Sequence, residues 1–422
     1  MKFKLQPLER RWVLYDVGNS AFTLLVSTIM PIYFNSLAGA DGLSEVSYLA
    51  YWGYATSIAT LVVALCGPVL GTISDFPGWK KKLFSISVLV GALGCVGLGV
   101  MSSWLWFLVL FVLAKSAYSV SLVIYDSMLT DITQPERMDK VSANGYAWGY
   151  IGSCIPFVLS LVLVLCYEPL GMSVNLAMAL AFLLIAAWWL LLSVPLWRSY
   201  EQKHSVPAQG SRLGESFRRL GGVFSELSHN RKALFFLIAF FFYIDGVYTI
   251  IDMATAYGTA LGLDTTGLLL ALLVTQIVAF PAALLFGRLT ERFSSASLIL
   301  VCIGAYFLIT IYGMWMKEQY QFWVLAVCVG IFQGAIQSMS RAYFARLIPP
   351  EKSGEYFGLY DICGKGASFL GTITVSAVSQ LTGSVNLGVG ALAFMFAVGA
   401  VFFVQAVRQE MPERAGAAVP VH

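Results

Sequence analysis

The chain has 422 residues, of which 58% are hydrophobic and 12% charged, and its mean hydropathy is +0.77. Soluble domains carry about 25% charged residues, so this composition excludes a soluble globular protein. A formal net charge of +3 is too small to predict nucleic-acid binding. We therefore expect a multi-pass membrane protein.

Apolar runs of about 20 residues, the length that crosses a bilayer as a helix, recur along the whole chain. They predict an all-α protein with twelve transmembrane helices. The predicted spans are residues 12–37, 45–72, 83–101, 104–125, 141–166, 173–196, 233–259, 267–287, 296–316, 321–344, 356–380 and 386–407.

The basic residues predict the orientation of these spans. Of the 26 Lys and Arg residues, 23 fall at the termini or around the loops that follow even-numbered spans. Lys115 and Lys365 lie inside spans, and Lys317 lies in a loop on the opposite side. Because positively charged loops stay on the cytoplasmic side of a membrane, both termini are expected in the cytoplasm. The protein itself is expected in the cell (inner) membrane.

A polar segment of Gly, Ser and charged residues divides the spans into two sets of six. We expect bundles at residues 1–197 and 233–422, joined by a cytoplasmic linker at 198–232 with an amphipathic helix at Leu213–Leu227. Short patterns recur six spans apart, which indicates two similar halves. The pairs are Tyr15–Gly18 with Tyr243–Gly246, and Gly71–Phe76 with Gly287–Arg292.

Cysteine and histidine usage gives no sign of a cofactor. The seven cysteines lack CxxC spacing and are expected as buried free thiols, and the three histidines lie outside the apolar runs. We expect no metal and no cofactor. The first span follows basic residues without a small-residue cleavage site, so we expect it to be retained.

The loop after span 2 carries Gly71-x-x-x-Asp75-x-x-Gly78-x-Lys80-Lys81. Glycine permits a tight helix end, and the aspartate can cap the N-terminus of a neighbouring helix. This pattern resembles the signature loop of the major facilitator superfamily. That resemblance implies a twelve-helix fold of two pseudo-symmetric six-helix bundles, with a central cavity and alternating access.

Within that superfamily, the chain is similar to the group of fungal vacuolar amino-acid effluxers linked to autophagy and their bacterial relatives. The similarity covers most of both halves. It is carried by Trp12–Phe22, Val141–Gly152, Tyr243–Tyr257, Pro281–Phe293 and Ser340–Gly371.

Two carboxylates in span 7 are candidate coupling groups. Asp245 and Asp252 are seven residues apart and, with Tyr248 or Thr249 between them, are expected on one helix face. Asp245 lies about 12 residues, or roughly 18 Å, inside the span, and Asp252 lies nearer the outer surface. A charge in hydrocarbon is costly, so Asp245 either binds a proton or cation, or pairs with a fixed Lys or Arg.

Further polar side chains inside spans are candidates for a substrate site. Lys115, near the middle of span 4, either binds a substrate carboxylate or phosphate, or pairs with Asp245. Asp16 and Asn19, with Thr23, follow helical spacing in span 1 and are expected to line a cavity or an inner gate. Glutamines in spans 8 and 10 either bind substrate or hydrogen-bond between helices. Those glutamines are Gln276, Gln333 and Gln337. Tyr118 and Tyr248 either line the pocket or, as aromatic residues usually do in membrane proteins, pack between helices or belt the interface.

A last set of polar residues is expected toward the cytoplasmic side. Asp361 and Lys365 are spaced to pair on one helix. These residues either form salt bridges that exchange when an inward gate opens, or static ion pairs. The set comprises Gly71, Asp75, Gly78, Asp126, Arg341, Asp361 and Lys365.

The function predicted from these features is secondary transport of a small polar solute, such as an amino acid. We expect this transport to be coupled to protons and the protein to act as a monomer. One alternative is an exporter of amphipathic drugs or lipids, which predicts a cavity rich in aromatic residues and Met. Another is a non-transporting receptor or sensor, for which the linker of about 35 residues is short. An intramembrane enzyme is disfavoured because HExxH and GxSxG motifs are missing from the sequence.

Overall fold

A computed structural model describes residues 3–207 and 212–409, and within these ranges the regular structure is helical. Helices satisfy their own backbone hydrogen bonds, which is what a chain needs in a bilayer without water. The helices of the first half are α1 (Pro7–Ser27), α2 (Ile29–Ala40), α3 (Glu45–Ser74), α4 (Trp79–Val100), α5 (Trp104–Ser127), α6 (Leu129–Ile132), α7 (Met138–Leu165) and α8 (Val174–Ser199).

The linker contains α9 (Arg212–His229), which includes the segment predicted to be an amphipathic helix. The second half then repeats the long helices of the first. Its helices are α10 (Arg231–Ala260), α11 (Thr265–Leu289), α12 (Ser295–Gly313), α13 (Gln319–Leu347), α14 (Ser353–Thr382), α15 (Val385–Gly390) and α16 (Leu392–Arg408).

Eleven segments in the described part of the chain are long and apolar enough to cross a membrane. The remaining predicted span falls within α14, a helix of 30 residues whose side chains at 365–369 lie outside the description. The predicted all-α architecture is therefore confirmed, with ends that differ from the prediction by about one turn.

The first span is two helices, whereas the sequence predicted one. Thr28 separates α1 from α2 with φ −130° and ψ −70°. Pro31 follows three residues later, and its ring cannot accommodate the carbonyl of the residue four positions earlier, Ser27. The helix therefore breaks at Thr28 and restarts on the other side of it.

Two compact contact units make up the molecule, and each exchanges a short segment of chain with the other half of the sequence. The first unit comprises Met1–Gln134, Trp148–Gln209 and Glu351–Gly358. Inside it, α4 packs on α5 and α8, and α1 packs on α8. The second comprises Pro135–Ala147, Gly210–Pro350 and Leu359–His422, with α11 packed on α13 and α10 on α16. The prediction placed residues 135–147 in the first bundle and 351–358 in the second, without this exchange, and the boundaries at 197 and 232 remain a prediction.

Candidate functional site

Asp245 is a fully buried carboxyl group in the middle of α10. Its Oδ1 accepts hydrogen bonds from the backbone N–H of Gly371, at 3.0 Å, and from the Thr249 hydroxyl, at 3.2 Å. Its Oδ2 is buried and has no hydrogen-bond partner among the described residues. A buried polar atom without a partner is costly, so this oxygen has hydrogen-bonding capacity that the described residues do not use.

Gly371 on α14 makes this arrangement possible. A Cβ atom at this position would lie 2.1 Å from Thr249 Oγ1 and 2.7 Å from Asp245 Oδ1. Only a glycine lets the backbone of α14 approach the carboxyl group this closely. No local sequence pattern predicts this contact, because Gly371 and Asp245 are 126 residues apart.

A cavity of about 380 Å³ lies beside Thr249, inside the second unit. All six spans of the second half contribute to its wall, which is mainly aliphatic. Its polar side chains are Thr249, Thr275, Gln276, Thr310, Gln333, Ser376, Ser379 and Gln380.

Two of the three predicted glutamines line this cavity. Gln276 and Gln333 are part of its wall, whereas Gln337 is buried one turn further along α13 and is not. Two buried polar atoms of the wall have no hydrogen-bond partner in the described structure: Oε1 of Gln333 and Oγ of Ser379. The cavity thus combines an apolar wall with unused hydrogen-bonding capacity.

The first unit brings together another predicted group. Asn19 donates to the Tyr15 carbonyl at 2.9 Å and lies 3.4 Å from Asp16 Oδ1. The Tyr118 hydroxyl is 2.7 Å from Thr23 Oγ1 and 3.5 Å from Asn19 Oδ1. Asp16 and Asn19 are buried, so α1 and α5 share a polar cluster within the apolar interior.

The remaining candidates of this kind are more dispersed. Lys115 is half-buried in the first unit, with its Nζ 5.8 Å from the centre of the Phe111 ring. Asp252 is exposed, although it shares α10 with the buried Asp245, and Tyr248 is half-buried on the same helix. Asp245 and Asp252 therefore have different surroundings.

Asp75 caps the start of α14. Its Oδ1 accepts from the Gly354 N–H at 2.8 Å and its Oδ2 from the Glu355 N–H at 2.9 Å. A negative charge stabilises a helix N-terminus, where backbone N–H groups lack helical partners. Gly71 permits the close approach, because a Cβ there would lie 2.2 Å from the Gly354 carbonyl oxygen. Gly78, with φ +73°, is the N-cap residue that precedes α4.

A buried cation and a second carboxylate complete this cluster. Lys80 Nζ lies 3.7 Å from Asp75 Oδ1 and 3.6 Å from Asp131 Oδ2, and it donates to Ser353 Oγ at 2.8 Å. All three charged side chains are fully buried. Two opposite charges flank Lys80, which offsets its loss of hydration.

The segment after α8 also binds Asp131. His204 lies with Nδ1 2.8 Å from Asp131 Oδ1, and the Tyr200 hydroxyl donates to Asp131 Oδ2. Burial, followed by the charge of Asp131, raises the pKa of Tyr200 well above its usual range. Sequence reasoning missed Asp131, Tyr200 and His204, because the path of a polar linker leaves no periodic pattern.

The second copy of the loop pattern makes a comparable contact in the second unit. Lys140, in the first turn of α7, donates to Glu291 Oε1 at 2.6 Å. This hydrogen bond and the adjacent positive charge lower the pKa of Glu291. A Cβ on Gly287 would lie 2.7 Å from Ala143 Cβ, so this helix start is also closely approached. Both loops therefore contact the first turn of a long helix from the other half of the sequence.

The other predicted gate residues lie as follows. Arg341 is buried, donates from Nε to Ser142 Oγ at 2.9 Å and lies 4.4 Å above the Tyr146 ring. Asp126 and Asp361 are half-buried. The side chain of Lys365 lies outside the described residues, so its predicted pairing with Asp361 remains a prediction.

No group of three or more His, Cys, Asp and Glu side chains within residues 3–207 and 212–409 is arranged to hold a metal ion. The polar sites that the structure describes are hydrogen-bonding and ionic sites.

Comparisons with known proteins agree with this architecture. The family model described as "Vacuole effluxer Atg22 like" matches residues 8–137 and 130–415. The chain is 39% identical over 398 residues to the uncharacterized MFS-type transporter YxiO of Bacillus subtilis, covering 93% of both chains. It is 22% identical to autophagy-related protein 22 of Coccidioides immitis, covering 83% of this chain and 71% of that protein.

Solved structures show the same fold at low sequence identity. The E. coli fucose:proton symporter FucP matches with a TM-score of 0.69 and 16% identity, covering 95% of this chain and 97% of that one. The human organic anion transporter MFSD10 matches with a TM-score of 0.69 and 14% identity, covering 94% and 100%. The chain therefore belongs to the Atg22-like family of major facilitator superfamily transporters, and it is not an enzyme.

Proposed function

We propose that this transporter is a secondary carrier of small polar solutes, driven by protons that bind Asp245. The observation that supports this most directly is the buried Oδ2 of Asp245, which lacks a hydrogen-bond partner among the described residues. Protonation would give this oxygen a hydrogen and would remove the charge from the middle of a membrane span. Proton binding and release at such a group can bias a two-state carrier.

We further propose that the transported solutes are amino acids. The resemblance of the sequence to the group of vacuolar amino-acid effluxers supports this class, and the matching family model is described as a vacuole effluxer. The first unit offers groups for both ends of a zwitterion: a carboxylate at Asp16, with Asn19 and Tyr118 beside it, and the cation of Lys115. In this proposal Lys115 binds the carboxylate of the substrate and does not pair with Asp245.

The proposed setting is a cell membrane, with a monomer whose two termini face the cytoplasm. The distribution of Lys and Arg supports this orientation, because 23 of 26 lie at the termini and around the loops on one side. The clusters at Asp75 and at Glu291 would then lie on the cytoplasmic side and act as an inward gate.

The experiment is uptake of a panel of amino acids into proteoliposomes, with and without an inward acid gradient. We expect gradient-stimulated flux of at least one amino acid in the wild type and loss of that stimulation in Asp245→Asn. The matched control is Asp264→Asn, because Asp264 is an exposed carboxylate that caps α11 through the Gly267 N–H, and asparagine can also cap.

Two outcomes would contradict the proposal. Flux of no amino acid by folded protein would overturn the substrate class. Equal stimulation in wild type and Asp245→Asn would overturn the role of Asp245.

A further inference from the structure

We infer that the cavity of the second unit is a binding site for a small neutral molecule with an apolar body and one hydrogen-bond donor. This site is additional to the proposed substrate groups, which lie on α1 and α5. The cavity wall belongs wholly to the second unit, from Thr249 on α10 to Leu392 on α16.

The uncharged lining of the cavity favours a neutral ligand. Its residues are aliphatic, aromatic, hydroxyl or amide in character, and none of the described lining residues is charged. A zwitterion or an ion would lose its hydration without gaining an opposite charge, which disfavours its binding. Most of the lining surface is apolar, and its residues include Ile250, Leu325, Val329 and Val389.

The side-chain oxygen of Gln333 favours a ligand with a hydrogen-bond donor. Its side chain is 5% exposed and lines the cavity, and its Oε1 has no hydrogen-bond partner among the described residues. Such an atom usually has a partner, so the unused acceptor indicates that an N–H or O–H group belongs beside it. The Ser379 hydroxyl on the same wall offers a second, weaker contact.

The volume selects a small ligand. About 380 Å³ is near the lower end of the range of small-molecule sites, roughly 300 to 1,000 Å³. An occupant would also contact Thr249, whose hydroxyl donates to Asp245. The ligand would therefore touch the side chain that orients the proposed coupling group.

Indole and benzofuran are suitable probes, because they have nearly the same shape and only indole has an N–H donor. Ligand-observed NMR titrations would measure their affinities for the full chain in nanodiscs, with empty nanodiscs as the blank. We expect indole to bind about tenfold more tightly than benzofuran, the value of one hydrogen bond to a buried acceptor.

In Gln333→Leu this preference for indole should disappear, while benzofuran still binds. The control is Gln337→Leu, a buried glutamine of the same helix that does not line the cavity, and it should keep the tenfold preference. As a second variant, Ala326→Phe fills the cavity from its wall and should abolish binding of both probes.

Three results would overturn the inference. They are binding of neither probe to the wild type, equal binding of both, and a preference for indole that survives Gln333→Leu. Binding of neither probe would be the result if a lipid acyl chain fills the cavity. Since the measurement is binding and not transport, its failure is distinguishable from failure of the proposed function.

Discussion

Among the single residues of the site, Asp245 is oriented by hydrogen bonds to only one of its two carboxyl oxygens. Gly371 and Thr249 both donate to Oδ1, which fixes the orientation of the carboxyl group and leaves Oδ2 for a proton. In the proposed function, a group oriented in this way would lose and regain a proton without moving its side chain. The proposed coupling step therefore needs the close approach of α14 as much as it needs the carboxylate.

Gly371→Ala tests this dependence. The added Cβ would collide with Thr249 Oγ1 and Asp245 Oδ1, so one of the two hydrogen bonds to the carboxyl group must break. We expect gradient-stimulated uptake to fall about tenfold or more, as an added barrier of 1.4 kcal/mol would cause. Gly304→Ala is the control, because a Cβ there meets nothing within 4 Å. Unchanged coupling in Gly371→Ala would contradict the role given to this contact.

Asp245 and Gly371 differ in whether the sequence alone could predict their place in this site. Asp245 was found because a carboxylate is costly in an apolar run, and its helical spacing to Thr249 is local. Gly371 could not be found, since nothing in the sequence measures how closely two distant helices approach. His204 was missed for a similar reason: its contact with Asp131 depends on the path of a linker.

At the scale of elements, two loops hold the first turns of long helices. The loop after α3 contacts the start of α14 through Asp75, and the loop after α11 contacts the start of α7 through Glu291. These contacts explain why residues 351–358 and 135–147 group with loops far away in sequence. The sequence repeat predicted two equivalent loops, but the helices they contact became visible only in the structure.

Asp75→Ala should destabilise the folded protein by about 2 kcal/mol. The change removes a charged cap from α14 and leaves the buried Lys80 with one carboxylate instead of two. Thermal unfolding in detergent measures the effect, and Asp75→Asn should lose less because it keeps one acceptor oxygen. Asp41→Ala, at an exposed helix end, is the control. An unfolding midpoint for Asp75→Ala equal to that of the wild type would contradict the capping role.

At the scale of the whole molecule, the strongest regularities were those that the bilayer imposes. Twelve apolar runs predicted the spans well, because each run must be long enough to cross the hydrocarbon. The break at Thr28 lies three residues before Pro31, whereas Pro68, Pro156, Pro195 and Pro281 lie inside continuous helices, so a proline in the sequence does not by itself predict a break. The exchanged segments followed from side-chain contacts and could not have been predicted from hydropathy.

Orientation in the membrane can be tested by cysteine labelling from one side. In a variant without the exposed Cys66 and Cys166, we expect Glu168→Cys to react with an impermeant maleimide added outside cells. Arg292→Cys lies in an exposed loop on the side predicted to be cytoplasmic. It should react only after the membrane has been permeabilised. The reverse pattern would contradict the orientation inferred from the positive loops.

Separating proton coupling from substrate movement is the decisive test of the role proposed for Asp245. Asp245→Asn would be compared with wild type in two assays on the same proteoliposomes: accumulation driven by an acid gradient, and counterflow exchange without a gradient. We predict that the variant loses accumulation and keeps counterflow, because asparagine cannot exchange a proton but leaves the substrate groups of α1 and α5 intact. Retained accumulation in the variant, or loss of counterflow in folded protein, would contradict a coupling role for Asp245.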